Sequence, residues 1–156
     1  MTMDGTVLLI ILATAFNGLL AGASLDQSIK QLPSRHKIGP QAYSTYMQAA
    51  DLDKAKIWYP IIGIGAALLT IIAAINVFYM GGEKPYTMPV YAAALLSIAH
   101  SIITLKAAPT AFQQREVFGD ENALVCVLNR FERLQMIRAV LQVASFGAML
   151  IALIIK

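Results

Sequence analysis

The sequence predicts an all-α integral membrane protein, a four-helix bundle running up-down-up-down as a single domain over residues 1–156. Three observations predict it. With 58% hydrophobic and 13% charged residues and a mean hydropathy of +0.64, the chain is too apolar for a soluble domain of its size. Four apolar stretches, at about 6–29, 58–80, 88–108 and 135–155, match the roughly 20 helical residues that cross a hydrocarbon core. If these stretches alternate in direction, ten of the twelve Lys and Arg residues fall at one side, leaving only Lys84 and Lys156 at the other. By the positive-inside rule both termini face outward and the two long polar connections face the cytoplasm.

The first span is preceded by Met-Thr-Met-Asp-Gly, with no basic region, and ends in Asp26-Gln27-Ser28-Ile29-Lys30 rather than in a small-residue cleavage site. It reads as a retained span, not a signal peptide. Pro33, which lacks an amide hydrogen, is expected to break it. Gly39-Pro40 opens a second helix whose first part, Gln41 to Lys56, is amphipathic, with Tyr43, Tyr46, Met47 and Ala50 on one face. Trp58 and Tyr59 mark the membrane boundary as aromatic-belt residues, and Ile61 to Met80 completes the second span. Gly81 to Pro85 forms a hairpin to the third span, Met88 to about Ala108, which Pro109 is expected to end. Asp120 is placed to cap a long final helix, with Glu121 in its first turn. The second and fourth helices therefore extend beyond the membrane on the cytoplasmic side.

Composition also excludes function classes. A single cysteine, Cys126, rules out an internal disulfide and the paired thiols of a membrane thiol oxidoreductase. The net charge of +3 is divided among four helix ends and mixed with carboxylates, so it reflects topology and not a nucleic-acid partner. No phosphate loop, nucleophile elbow or zinc motif is present. The second histidine, His36, lies in a loop, so bis-histidine haem ligation between spans is unavailable and no metal or cofactor is expected.

Polar residues inside the spans are the lead to function. Gly18, Gly22 and Asp26 share one face of the first helix, where two glycines would let a neighbouring backbone approach. Ser97, His100, Ser101 and Thr104 form a stripe on the third span, and Arg138, Gln142 and Ser145 form one on the fourth. Lipid offers these groups no hydrogen-bond partner, so the stripes should face inward. At a rise of about 1.5 Å per residue, His100 lies roughly 18 Å in from Met88, and Gln142 and Arg138 lie roughly 20 and 25 Å in from Ile155. Asp26 lies roughly 30 Å in from Thr6, so all four fall in the cytoplasmic half. Two readings stay open: a pocket lined by these groups, or an ion pair of Asp26 with Arg138, Arg130 or Arg133 that sets bundle register.

The stretch Leu19-Leu-Ala-Gly-Ala-Ser-Leu-Asp-Gln-Ser-Ile-Lys-Gln-Leu-Pro resembles small bacterial four-helix membrane proteins of unknown function, as do Ile38-Gly-Pro-Gln-Ala-Tyr, Ala50-Asp-Leu and Trp58-Tyr-Pro. The segment Asn129-Arg-Phe-Glu-Arg-Leu-Gln-Met-Ile-Arg-Ala-Val-Leu resembles the start of the last helix in the wider anthrone-oxygenase-like group. The resemblance implies a location in the bacterial inner membrane. It also implies, as one activity, oxygenation of a phenolic polyketide without an evident metal or flavin. Its matching polar positions are Asp26, Asp51, Arg130 and Arg138; His100 has no motif match.

Two functions follow as expectations. The first is a membrane protein, in the enzymatic case an oxidoreductase, that takes an amphipathic aromatic or quinone-like molecule from the bilayer. His100 would be the base, Arg138 would stabilise negative charge, Asp26 would orient one of them, and Trp58 and Tyr59 would form the portal. Gln142, Ser97, Arg130 and Asp51 would complete the binding set. The second is a non-enzymatic scaffold, lipid-binding protein or accessory subunit, in which the small-residue faces Gly18–Gly22 and Gly63–Ala67 serve contacts between copies in a homo-oligomer.

Overall fold

The computed structural model describes residues 3–50, 55–81 and 84–156, and every regular element among the described residues is helical. Helix α1 (Met3–Leu25) runs through a π-helical turn (Asp26–Gln31) into α2 (Leu32–Ile38), and α3 (Pro40–Ala49) follows. Three long helices complete the bundle: α4 (Ala55–Tyr79), α5 (Thr87–Glu116) and α6 (Glu121–Ile154). Among the described residues four stretches are long and apolar enough to cross a membrane, Gly5–Ile38, Ile57–Tyr79, Thr87–Glu116 and Glu121–Ile154. Large apolar side chains such as Leu19, Phe78, Leu105 and Ile154 point outward, as a lipid-facing surface requires.

Neither proline stops its helix. Upstream of Pro33 the chain widens to π geometry, where the Leu32 amide donates to the Gln27 carbonyl. Pro33 then sits in the first turn of α2, where a missing amide hydrogen costs nothing. The first apolar stretch consequently continues to Ile38 instead of ending near Ile29. Pro109 lies inside α5, which runs on to Glu116; burial of Ala107, Thr110, Ala111 and Gln114 holds the helix together across it. Two of the turns use glycine at positive φ, Gly39 (86°) between α2 and α3 and Gly81 (89°) after α4. Asp120 caps α6 as its sequence position predicts, its carboxylate accepting from the Ala123 amide at 3.1 Å.

Helix α1 packs against α4 and α6, and α5 closes the ring against the same two. Hydrogen bonds give the register. Thr6 Oγ1 donates to Met80 Sδ and Asn17 Nδ2 to Thr70 Oγ1, so residue numbers rise along α1 as they fall along α4. The same holds for α5 and α6, where Ser145 Oγ donates to the Ala93 carbonyl and Arg138 Nε to Thr104 Oγ1. Two apolar cores result. One, at the end carrying the chain termini, includes Ile10, Val77, Val90 and Met149. The other, at the basic end, joins Leu32 of α2 and Tyr43 and Met47 of α3 to Ala111, Leu124, Leu128 and Phe131. Of the amphipathic face expected in α3, Tyr43 and Met47 are buried, while Tyr46 stays exposed.

Candidate functional site

A layer of hydrogen bonds centred on Asn17 lies on the side of the bundle's middle nearer the termini. Asn17 Nδ2 donates to Thr70 Oγ1 and to the Ala13 carbonyl, both at 2.8 Å, while its Oδ1 accepts from Gln142 Nε2 at 2.9 Å and Ser145 Oγ at 3.1 Å. Because Ser145 also reaches the Ala93 carbonyl, one network joins α1, α4, α5 and α6. All of these side chains are buried, where an unbonded amide would be costly.

Between that layer and the basic-end core lies a chamber of about 510 Å³, within the range of roughly 300–1,000 Å³ typical of small-molecule sites. Small side chains on separate helices make the room: Ala23 of α1, Gly63 and Ala67 of α4, and Ala108 of α5. A Cβ added at Gly63 would meet nothing within 4 Å. Leu20, Met47, Ala111 and Phe131 supply further apolar surface.

The polar wall is formed by α5 and α6. Arg138 Nε donates to Thr104 Oγ1 at 3.0 Å and its Nη1 to Gln135 Oε1 at 2.7 Å, while the Thr104 hydroxyl donates to the His100 carbonyl at 2.9 Å. These bonds hold the guanidinium against α5 one turn from the imidazole. His100 is 5% exposed, and its Nε2 is buried without a hydrogen-bond partner. Both side chains line the chamber. The described acids near this level are engaged elsewhere: Asp26 pairs with Lys30, and Glu132 pairs with Arg35 of α2, whose Nη2 also donates to Asn129. Among the described residues Arg138 has no carboxylate partner.

The site residues expected from sequence separate into groups. His100, Arg138 and Tyr59 line the chamber together. Asp26 does not join them, because it sits on the π turn, where Lys30 lies at helical spacing and Gln31 Nε2 donates to it at 2.6 Å. It therefore orients neither His100 nor Arg138 and makes no ion pair with Arg130 or Arg133. Trp58 is 65% exposed and lies outside the lining, so of the two expected portal aromatics only Tyr59 reaches the chamber. Gln142 belongs to the Asn17 layer, Ser97 is buried outside the lining, and Arg130 is exposed. Asp51 lies outside the described residues.

The expected close approach at Gly18 and Gly22 is also different in kind: Gly18 faces the Phe146 ring and Gly22 faces open space. The Gly63–Ala67 face lines the chamber. Sequence reasoning missed Asn17, Thr70 and Gln135. A signal existed for Asn17, the one amide in the apolar run Ala15 to Ala23. For Gln135 the signal was its i,i+3 spacing to Arg138. Comparisons of this chain with protein families, with curated proteins and with solved structures find no match.

Proposed function

We propose that the protein binds an amphipathic, ring-bearing small molecule, aromatic or quinone-like, within its helical bundle in the bacterial inner membrane. In this reading the helices run up-down-up-down with both termini outside, and the chamber lies in the cytoplasmic half. The basic-end core of α2, α3 and the adjoining ends of α5 and α6 projects toward the cytoplasm. The hydrogen-bond register and the gathering of Lys30, Arg35, Arg115, Arg130 and Arg133 at one end support that arrangement. The observation that carries the reading is the chamber itself: a mainly apolar cavity whose polar wall holds a buried imidazole and a guanidinium.

Such a wall suits cofactor-independent oxygenation of an anthrone-type substrate. His100 takes a proton from the acidic ring carbon, Arg138 stabilises the resulting oxyanion, and dioxygen accepts electrons from the carbanion. One oxygen atom becomes the new ring carbonyl, and the other leaves as water with the two hydrogens of the methylene. The test is 1,8-dihydroxyanthrone added to protein in lipid nanodiscs, following oxygen uptake and quinone absorbance together. Turnover above that of empty discs, abolished by His100→Ala, is the expected result. Binding without oxygen uptake would instead favour a non-enzymatic lipid- or ligand-binding protein, a reading supported by the exposed apolar residues at the chamber's rim. Absence of both binding and turnover, with a chamber-filling Gly63→Trp variant indistinguishable from wild type, would overturn the proposal.

A further inference from the structure

Resting on the reading that this chamber holds a small amphiphile, we infer that its ligand is an acid. A single carboxylate or ionised phenol on a small apolar body would enter sideways from the lipid between α4 and α5 and meet Arg138 with its anionic oxygen.

The route follows from which lining residues are exposed. Ile64 and Leu68 of α4 and Leu105 and Phe112 of α5 are 59%, 53%, 76% and 46% exposed, and all four line the chamber. The lining residues of α1 and α6 are buried or half-buried, with Leu20 at 4%, Phe131 at 3% and Gln135 at 1%. An opening bordered by exposed side chains of only these two helices is a mouth on the bundle's flank. Its rim is apolar, so it faces acyl chains and admits what is dissolved among them.

The charge preference follows from the back wall. A guanidinium withdrawn from water is stable only with compensation, and the two acceptors Arg138 has among the described residues, Thr104 and Gln135, are both neutral. Neither forms the charge-assisted bond that a carboxylate or phenolate oxygen would make with the remaining N–H groups. His100 Nε2, buried and unpartnered on the same wall, is a second polar atom awaiting a bond. A hydrocarbon tail would satisfy neither group, and a neutral carbonyl would leave the positive charge uncompensated. An acid entering head first through the flank satisfies both while its body fills the apolar remainder.

The experiment compares anthracene-2-carboxylate with anthracene-2-carboxamide, read by anthracene fluorescence in phosphatidylcholine nanodiscs against empty discs. The acid should bind wild type about tenfold more tightly or better, the size of one charge-assisted hydrogen bond. Arg138→Gln should bring the two probes within about twofold of each other, because it removes the charge that tells them apart. Should that variant not fold, Arg138→Met, which also removes the charge, should abolish the preference in the same way. Leu105→Trp at the rim should slow association of both probes by about tenfold.

Equal affinities in wild type overturn the acid assignment while leaving the chamber's binding role intact; failure of both probes to bind sinks the two together. Unchanged association rates in Leu105→Trp overturn the lateral route. Competition from phosphatidylglycerol added to the discs would transfer the anion to a lipid headgroup and overturn the assignment to a small acid.

Discussion

Two neighbouring layers of buried polar side chains are treated in opposite ways. In the Asn17 layer the side-chain amide bonds to Thr70, Gln142 and Ser145, and four helices share one closed network. From the chamber wall to the basic end, buried polar atoms are left without partners: His100 Nε2, Ser28 Oγ, Arg35 Nε and Gln114 Oε1. At the opposite end only Thr87 Oγ1 is in that state among the described residues. Completed networks rigidify and fix a register, whereas incomplete ones mark places where local stability has yielded to something else. The bundle is thus locked in one half and poised in the other.

The largest effect expected from that contrast is on stability. Replacing Asn17 with leucine removes three interhelical hydrogen bonds, which at about 0.6 kcal/mol each in a membrane protein amounts to a loss near 2 kcal/mol. Reversible unfolding in mixed micelles measures it. A neutral substitution would mean that the network does not hold the register, and the two halves would no longer differ.

Next comes the opposite manipulation at the chamber. Arg138→Met removes a guanidinium with neutral partners and adds apolar surface, so stability should stay within about 1 kcal/mol of wild type, and a gain is allowed. Anionic-probe binding should fall about tenfold in the same protein. A loss of stability equal to that of Asn17→Leu would show that Arg138 is a structural strut, equivalent in kind to the other layer.

The same division explains what could be read from the chain beforehand. The existence of four spans, the Asp120 cap and the inward placement of His100 and Arg138 depend on local period and on the absence of hydrogen-bond partners in lipid, both visible in the sequence. The hub role of Asn17 depends on how four helices are rotated about their axes, which no single helix encodes. Asp26 shows a different failure. Its partner Lys30 was legible at i,i+4, but depth along the span drew attention to distant arginines instead. The π turn that precedes Pro33 and the chamber opened by Ala23, Gly63, Ala67 and Ala108 arise from backbone register and from small residues on separate helices. Neither leaves a periodic trace.

The smallest effect is also the most local test, because it uses two glycines two residues apart on α4. A Cβ at Gly65 would come within 2.8 Å of the Phe16 ring, beside the Asn17 layer, so Gly65→Ala forces the ring to move. Overpacking of about 1–3 kcal/mol is partly offset by the roughly 1 kcal/mol that alanine gains over glycine in a helix, leaving a modest net loss. Gly63→Ala meets open chamber and keeps only the helical gain. The two substitutions should therefore change stability in opposite directions, Gly65→Ala losing up to about 2 kcal/mol and Gly63→Ala gaining up to about 1 kcal/mol. Equal shifts would mean that the chamber is as tightly packed as the layer beside it, leaving no room for a ligand at Gly63.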